Sequence, residues 1–406
     1  MNKKILGTFF NLSSYLINKI NLITTDKLLN LINIYIVLLR EDRIGHQAGN
    51  ADIEFYNAFK REKENRSKTI FIFPTPTFDV SNLYLRDKLI EFAEKKNYKA
   101  YVIKYNFMNK YFSRLVFTFL LKIFQSCKNI YFSNCDTGRR INNIILRSSK
   151  NHKILCEQLG INPNKYICIT SRDPNYLKKR YPDRNWDYHN YRNSSIDNLE
   201  KLSMYLRSEF EYDVIRIGSN PEKKISWSCD TKPKIIDYPF SKYKSPKNDI
   251  DLISGCKLFI NNGGGPVAAA VAARRNILTI NHITIGNSSG YGWWFWIPKL
   301  LKKTDHNKYL SFREIVNLNL SKASHLDEYT KLGIEVIENN DEDILNAIKD
   351  YFRIKKGLLN NKEKEIIYKY RKLRNATADL FIYQNLKNYK DIISPTFLLK
   401  YPELLN

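Results

Sequence analysis

Three observations predict an α/β fold of two domains. Apolar runs of strand length alternate with stretches of helical spacing over most of the chain. That alternation restarts after Gly160-Ile161-Asn162-Pro163. The 406 residues are too many for one ordinary core and comfortable for two, and their 43% hydrophobic and 26% charged content is that of a globular protein. Strands alternating with helices imply right-handed β-α-β crossovers and parallel sheets. Two such domains, Rossmann-like and facing a central cleft, would bind ligands at the carboxyl ends of their strands.

In chain order, the first periodic unit is a strand at Thr69–Phe73, stopped by Pro74 and Pro76. A helix opening near Ser81 carries Leu89, Ile90, Phe92 and Ala93 on one face. A strand at Ala100–Tyr105, an apolar helix at about Asn109–Gln125 and a strand at Asn129–Ser133 follow. Past the Gly160 turn, a strand at Lys165–Thr170 leads into a long polar loop, Ser171–Asn193. The next helix begins at Ser194 or Ser195, with Ile196, Leu199, Leu202, Leu206 and Phe210 spaced for one face. Ser194 with Asp197 approximates a capping box. Strands at Asp213–Ile217, Lys234–Asp237, Lys257–Asn261 and Ile277–Ile280 complete the second sheet. From about Asp341 the chain reads as helical, highly charged and packed along the outside. The expected domains are therefore residues 1–160 and 161–340, with a helical extension over 341–406.

A formal charge of +25 calls for an anionic partner: nucleic acid, acidic lipid or a phosphorylated substrate. The Lys-, Asn- and Ile-rich composition expected of an A/T-biased genome supplies part of that charge. The six cysteines form no C-x-x-C pair, which reads as reduced thiols in a cytoplasmic protein without a zinc module. Polar residues keep interrupting the apolar stretches of Met1–Arg40, so neither a membrane span of roughly 18 apolar residues nor a signal peptide is expected. Lys104–Lys128 is rich in Phe and Leu and punctuated by Lys104, Lys110, Arg114, Lys122 and Lys128. It reads either as a helix lying on an anionic bilayer or as a buried helix of the first domain.

Three constellations carry candidate chemistry. In the first, the strand Lys257–Asn261 runs into Asn262 and three glycines, Gly263, Gly264 and Gly265, then Pro266, then an alanine-rich helix closed by Arg274 and Arg275. Pro suits a first helical turn and the arginines suit the negative end of the helix. Bare backbone N–H groups at the glycines suit a diphosphate or a sugar; the alternative is a tight turn with close helix–sheet packing. The loop lacks the Lys-Ser/Thr of a P-loop, and no G-x-G-x-x-G follows a strand, which disfavours a kinase or an ordinary dehydrogenase. The second constellation is Ser171-Arg172-Asp173-Pro174-Asn175-Tyr176 with Asp187-Tyr188-His189-Asn190-Tyr191-Arg192-Asn193. Arg172, just past a strand end, can grip a diphosphate through two hydrogen bonds. Asp187, His189, Arg192 and Asn193 suit sugar hydroxyls and general-base work, or a polar loop folded on itself. The third is Arg43-Ile44-Gly45-His46-Gln47-Ala48-Gly49-Asn50, which reads as a loop in which His46 either accepts a proton or plays a structural part. Asp249-Ile250-Asp251 matches a metal-holding D-x-D but opens a helix, where acidic residues are common. Tyr291-Gly292-Trp293-Trp294-Phe295-Trp296-Ile297-Pro298 reads as a core wedge, or else as a loop that stacks on sugar or touches a membrane.

Taken together, Arg43-Ile-Gly-His46, Ser171-Arg172-Asp173 with Tyr176-Leu177, and Asp187-Tyr-His189-Asn-Tyr-Arg192-Asn193 followed by Ile196-Asp197-Asn198 resemble a family of bacterial glycosyltransferases of surface-polysaccharide biosynthesis. The resemblance spans roughly residues 40–320, including Ile297-Pro298-Lys299 and Leu310–Ile315, and its specific part is the Tyr-His-x-Tyr-Arg-Asn string. It implies a GT-B-like fold and transfer of a sugar from a nucleotide-sugar donor. The acceptor would be a lipid-linked or polysaccharide glycan such as lipopolysaccharide. On this reading, residues 1–160 face acceptor and membrane, and residues 161–340 bind the donor. Arg172, Arg192, Asn193, Asn262 and Gly263–Gly265 would hold the donor, and His46, Asp187 and His189 would be the catalytic candidates. No metal and no cofactor beyond the nucleotide-sugar substrate is expected. The protein would work on the cytoplasmic face of the plasma membrane, peripherally bound to anionic lipid.

Two other classes make different demands. A non-catalytic nucleic-acid-binding protein would gather its basic residues on one face with interleaved aromatics. Here Lys and Arg are spread through almost every segment, so nucleic acid is not the expected partner. A pyruvyl or phosphoryl transferase on the same two-lobed frame would be separated by donor screening.

Overall fold

The computed structural model describes residues 34–65, 67–73, 80–102, 130–132, 140, 142–286, 294–305, 308–376 and 391–406. Most of the amino-terminal stretch, the two prolines after Phe73, the basic aromatic stretch Lys104–Lys128 and the first half of the Trp-rich run lie outside them. The chain forms two compact α/β units, Met1–Leu146 and Arg147–Asn406.

The first unit is built on four parallel strands in the order β3-β2-β1-β4: β1 (Ile34–Leu38), β2 (Lys68–Phe73), β3 (Lys99–Val102) and β4 (Ile130–Phe132). The last three stand where the spacing predicts strands. β1 was not expected, because its apolar run follows the polar interruptions of the first thirty residues. The chain order reverses between β1 and β4, so β1 ends at a topological switch point, where open α/β sheets bind ligands. Helix α1 (Ile44–Asn65) starts there, which corrects the reading of residues 43–50 as a loop. Gly45 and Gly49 suggest a break, but the apolar face of Ala48, Ala51, Phe55 and Ala58 outweighs their poor helix propensity. Phe55 closes the packing, edge-on to Phe71 at 4.9 Å and tilted against Phe92 at 4.9 Å. Helix α2 (Leu83–Lys95) is capped by Asn82, whose Oδ1 accepts the Leu85 N–H at 2.9 Å.

In the second unit, helix α3 (His152–Leu159) ends at Gly160, whose φ of 68° is the left-handed cap that glycine adopts at least cost. The Gly160–Pro163 turn therefore closes a helix, and the two units divide earlier, after Leu146. β5 (Tyr166–Ile169), β6 (Asp213–Arg216), β7 (Ile235–Asp237), β8 (Leu258–Asn261), β9 (Asn276–His282) and β10 (Trp294–Pro298) run parallel. β5, β6 and β8 are buried at every position, as expected where helices cover both faces of a parallel sheet. β10 places the second half of the aromatic run in the core: Phe295, Trp296 and Ile297 are buried strand residues, as the core-wedge reading expects and the surface-loop reading does not. A small antiparallel sheet of β11 (Leu300–Lys303), β12 (Lys308–Tyr309) and β13 (Ile334–Ile337) follows.

The carboxyl-terminal stretch is more than a helical covering. α10 (Asp341–Lys355) and α11 (Asn361–Ala376) are the expected helices, but β14 (Asp391–Ile393) pairs with β10 and makes the sheet seven-stranded, in the order β14-β10-β9-β8-β5-β6-β7. Asp391 is buried and accepts the Tyr370 hydroxyl at 2.7 Å and the Trp296 indole N–H at 3.2 Å, and it pairs with Arg374. Burial needs that set of partners, since an isolated carboxylate in this position would be expensive.

Among the described residues the remaining helices run α4 (Asn175–Arg180), α5 (Glu200–Phe210), α6 (Pro246–Gly255), α7 (Pro266–Ala272), α8 (Phe312–Asn317), α9 (Leu326–Thr330) and, after α11, α12 (Pro395–Lys400). α5 starts at Glu200 behind a single 3-10 turn, so Ser194 caps nothing. α6 carries the D-x-D, whose two carboxylates part company: Asp249 pairs with Lys244, and Asp251 accepts the Ser149 N–H at 2.7 Å and hydroxyl at 2.6 Å. α6 ends on Gly255 against His152 and Tyr166. A Cβ there would lie 2.3 Å from His152 Nε2 and 2.4 Å from the Tyr166 hydroxyl. The Tyr166 ring is fully buried, so it has little room to move aside. Gly255→Ala is expected to cost about 1–3 kcal/mol, read as a lowered denaturation midpoint.

Candidate functional site

From β5 the sheet grows toward β6 and β7 on one side and toward β8, β9, β10 and β14 on the other, so the switch point of the second unit lies between β5 and β8. Arg172 follows the end of β5, and Asn262 and Gly263 follow the end of β8. The Arg172 backbone N–H donates to Asn262 Oδ1 at 2.8 Å, which ties the two strand ends together. Asn262 is 2% exposed, and its amide also donates to the Ser194 hydroxyl at 2.7 Å and the Arg192 carbonyl at 3.3 Å. Asn261 acts as a turn former: its Oδ1 accepts the Gly263 N–H at 2.8 Å. Gly263 then takes φ 83°, a conformation that favours glycine, with open space where a Cβ would stand.

Across these strand ends runs a strap, residues 187–195. The loop expected at Ser171–Asn193 is partly regular: it contains α4 and a 3-10 helix, Asp187–Arg192. The strap is fastened at several points. Arg172 Nη1 donates to the His189 carbonyl at 3.2 Å and to Asn193 Oδ1. Arg192 Nη2 donates to the Gly263 carbonyl at 2.7 Å. The Ser194 N–H donates to the Arg172 carbonyl at 3.1 Å, and the Ser171 hydroxyl reaches the Ser194 carbonyl at 2.6 Å. Arg172, Arg192, Asn193, Asn262 and Gly263, named from the sequence, thus meet at one strand-end junction. Gly264 and Gly265 follow directly and supply the carbonyls that open α7, a helix with Pro266 in its first turn. Arg274 Nη1 donates to the Val271 carbonyl at the other end, at 2.7 Å, as its helix-closing placement implies.

The catalytic candidates are placed differently. Asp187 is exposed at the start of the strap, where its carboxylate accepts the Asn190 amide at 3.3 Å. His189 lies in a ladder of rings, its centroid 4.0 Å from Tyr188 and 6.1 Å from Trp186; Tyr188 stacks in turn on His325 at 4.7 Å. His46 belongs to the first unit, half-buried in the first turn of α1. Close by, burial pushes the Asp42 carboxyl up, but the hydrogen bond and charge of Arg40, helped by His46 and Arg43, hold it below its ordinary value.

Two residues at the site were not assigned a role from the sequence. His282 ends β9; burial, reinforced by the Arg192 charge, holds its imidazole at about 3, so it is neutral. Lys299 follows β10, is 4% exposed, and donates from Nζ to the Asn193 carbonyl at 2.6 Å. Burial pulls its ammonium down to about 8; Glu338 works against that shift and Arg172 adds to it. The signal was a lone lysine inside the apolar run Trp294-Phe-Trp-Ile-Pro-Lys299-Leu-Leu301, which is unusual unless the amine has a partner.

Loss of the proton from the buried Lys299 amine links stability to pH. Between about 8 and the ordinary 10.5, the unfolded chain holds a proton that the folded chain has shed. Folding therefore becomes more favourable as pH rises through that window, by roughly 3 kcal/mol in all. Urea titrations of wild type and Lys299→Met across this range should show the wild type gaining on the variant.

Among the described residues, no group of three or more His, Cys, Asp or Glu is arranged to hold a metal ion, and no helix is long and apolar enough to cross a membrane. No protein-family profile matches the chain, and no curated protein sequence matches it either. Among solved structures, the chain is similar to a family 9 glycosyltransferase of Veillonella parvula, with 9% identity over 78% of this chain and 96% of that one and a TM-score of 0.41. It is similar to the iron-containing dodecameric glycosyltransferase TibC of enterotoxigenic E. coli, with 12% identity over 73% and 69% and a TM-score of 0.37. It is also similar to the E. coli ADP-heptose lipopolysaccharide heptosyltransferase II, with 14% identity over 61% and 84% and a TM-score of 0.31.

Proposed function

We propose that this chain is a glycosyltransferase moving a sugar from a nucleoside-diphosphate donor to a lipid-linked or polysaccharide acceptor in bacterial surface-glycan synthesis. The observation that carries the reading is the junction at the second switch point, where Arg172, Arg192 and the Gly263 turn lie together with Lys299 behind the strap. When the bond between the sugar C1 and the diphosphate oxygen breaks, negative charge builds on the departing diphosphate. Fixed cations at that point stabilise the transition state more than the ground state. Arg172 and Arg192 would neutralise the diphosphate with Gly263–Gly265 beside them, in the place a divalent metal takes in other transferases. Asn193 and Asn262 would orient the donor. The acceptor hydroxyl would attack C1 and pass its proton to His46, Asp187 or His189. The sequence resemblance supplies the reaction class; the charge of +25 and the basic, aromatic-rich stretch Lys104–Lys128 support a working position on the cytoplasmic face of an anionic membrane.

A thermal-shift screen against nucleoside diphosphates and their sugars tests the reading. A ligand of the native state at about a hundred times its Kd should raise Tm by about 2–4 °C. A flat response to every nucleoside diphosphate, together with salt-sensitive binding of RNA or DNA, would remove it.

A further inference from the structure

We propose that Lys299 is a positioning residue of the donor site: its amine keeps the 187–195 strap seated while Arg172 and Arg192 turn from the strap and strand-end oxygens to phosphate oxygens. The inference rests on the diphosphate reading given above.

The fastenings of the strap made by basic and amide side chains are of two kinds. Three are made by guanidinium groups to neutral oxygens: Arg172 to the His189 carbonyl and Asn193 Oδ1, and Arg192 to the Gly263 carbonyl. Phosphate oxygens are charged, accept guanidinium bonds in pairs, and form stronger bonds than carbonyls do. A diphosphate arriving between the strand ends would draw both arginines away from those oxygens. The second kind cannot leave, because it is buried. The Asn262 amide holds Ser194 Oγ and the Arg192 carbonyl, and Lys299 Nζ holds the Asn193 carbonyl. Asn193 is thus gripped twice, at its side chain by the exchangeable Arg172 and at its main chain by Lys299.

The groups around the amine fit this division. Glu338 and Arg172 are the charges acting on it. The Glu338 carboxylate accepts the Ser195 N–H at 3.1 Å and the Asn198 amide at 3.3 Å, so Lys299 and Glu338 fasten the strap two residues apart, at Asn193 and Ser195. From β9, the His282 carbonyl accepts the Lys299 backbone N–H at 2.9 Å, and its ring, beside Arg192, is neutral. An amine buried against its own charged form costs stability at neutral pH. A methionine would fill the space without that cost, so stability alone does not explain a lysine here.

The test compares wild type, Lys299→Met and Lys299→Arg by calorimetric titration with inorganic pyrophosphate. Wild type should bind. Lys299→Met should fold yet bind about 10–100-fold more weakly, the range for losing a charge-assisted fastening. As pH rises through about 8, wild type should lose affinity relative to Lys299→Arg, which keeps its charge. That comparison decides the matter even if Lys299→Met fails to fold. Pyrophosphate binding by wild type with unchanged affinity in Lys299→Met, or with parallel pH profiles for wild type and Lys299→Arg, overturns the proposal alone. Absence of pyrophosphate and nucleotide binding by wild type overturns the donor-site reading and this inference with it.

Discussion

Alanine in place of Arg172 is expected to lower nucleotide-sugar turnover by about 10²–10³-fold, the loss seen when one preorganised donor to developing charge is removed. The fold should survive, because the Arg172 contact that joins β5 to β8 is made by its backbone N–H and does not depend on the side chain. The side chain instead donates to the His189 carbonyl and Asn193 Oδ1, two acceptors on the strap that water can satisfy when the guanidinium is gone. The fall should therefore appear in kcat as well as KM, with little change in Tm. Full activity in the purified variant would take Arg172 out of the site.

The second large effect is expected at Asn262 and should be one of stability. Asn262→Leu keeps the approximate volume but strips the Arg172 N–H of its acceptor and the Arg192 carbonyl and Ser194 hydroxyl of their donor. Each buried group left without a partner costs about 1–3 kcal/mol; the Ser194 hydroxyl keeps the Ser171 hydroxyl at 2.9 Å, so the Arg172 N–H and the Arg192 carbonyl set an expected loss of roughly 2–6 kcal/mol. Because the three partners belong to one network, the cost should not be the sum of single deletions. Denaturation of Asn262→Leu and of a Ser194→Ala variant, separately and combined, would measure that coupling. A wild-type midpoint for Asn262→Leu would show that the three contacts do not hold the strap.

The second parallel sheet was legible in the sequence because its central strands β5, β6 and β8 are buried on both faces and read as short apolar runs between helical stretches. Arg172 and the Asn262–Gly263 turn were legible for a related reason: they stand just past such runs, and strand ends are where this class of fold binds ligands. Four things were hidden. β1 is short, and its apolar run follows a polar-punctuated stretch that obscures its start. α1 contains two glycines, and local propensity misleads when a buried apolar face decides the outcome. β14 pairs with β10, nearly a hundred residues earlier in the chain, and periodicity carries no record of pairing over such a distance. Lys299 was hidden by the same distance: its partner Asn193 lies more than a hundred residues away.

β14 also bears on how the second unit is made. Until residues 391–393 have left the ribosome, β10 presents an unpaired row of backbone groups flanked by Phe295, Trp296 and Ile297. Such an apolar edge is a template for pairing with a neighbouring chain. Translation that stalls before Asp391 would then yield a sheet lacking its outermost member, with Trp296 and Tyr370 deprived of the carboxylate that anchors them. Synthesis of this unit therefore carries an aggregation hazard that persists almost to its last strand.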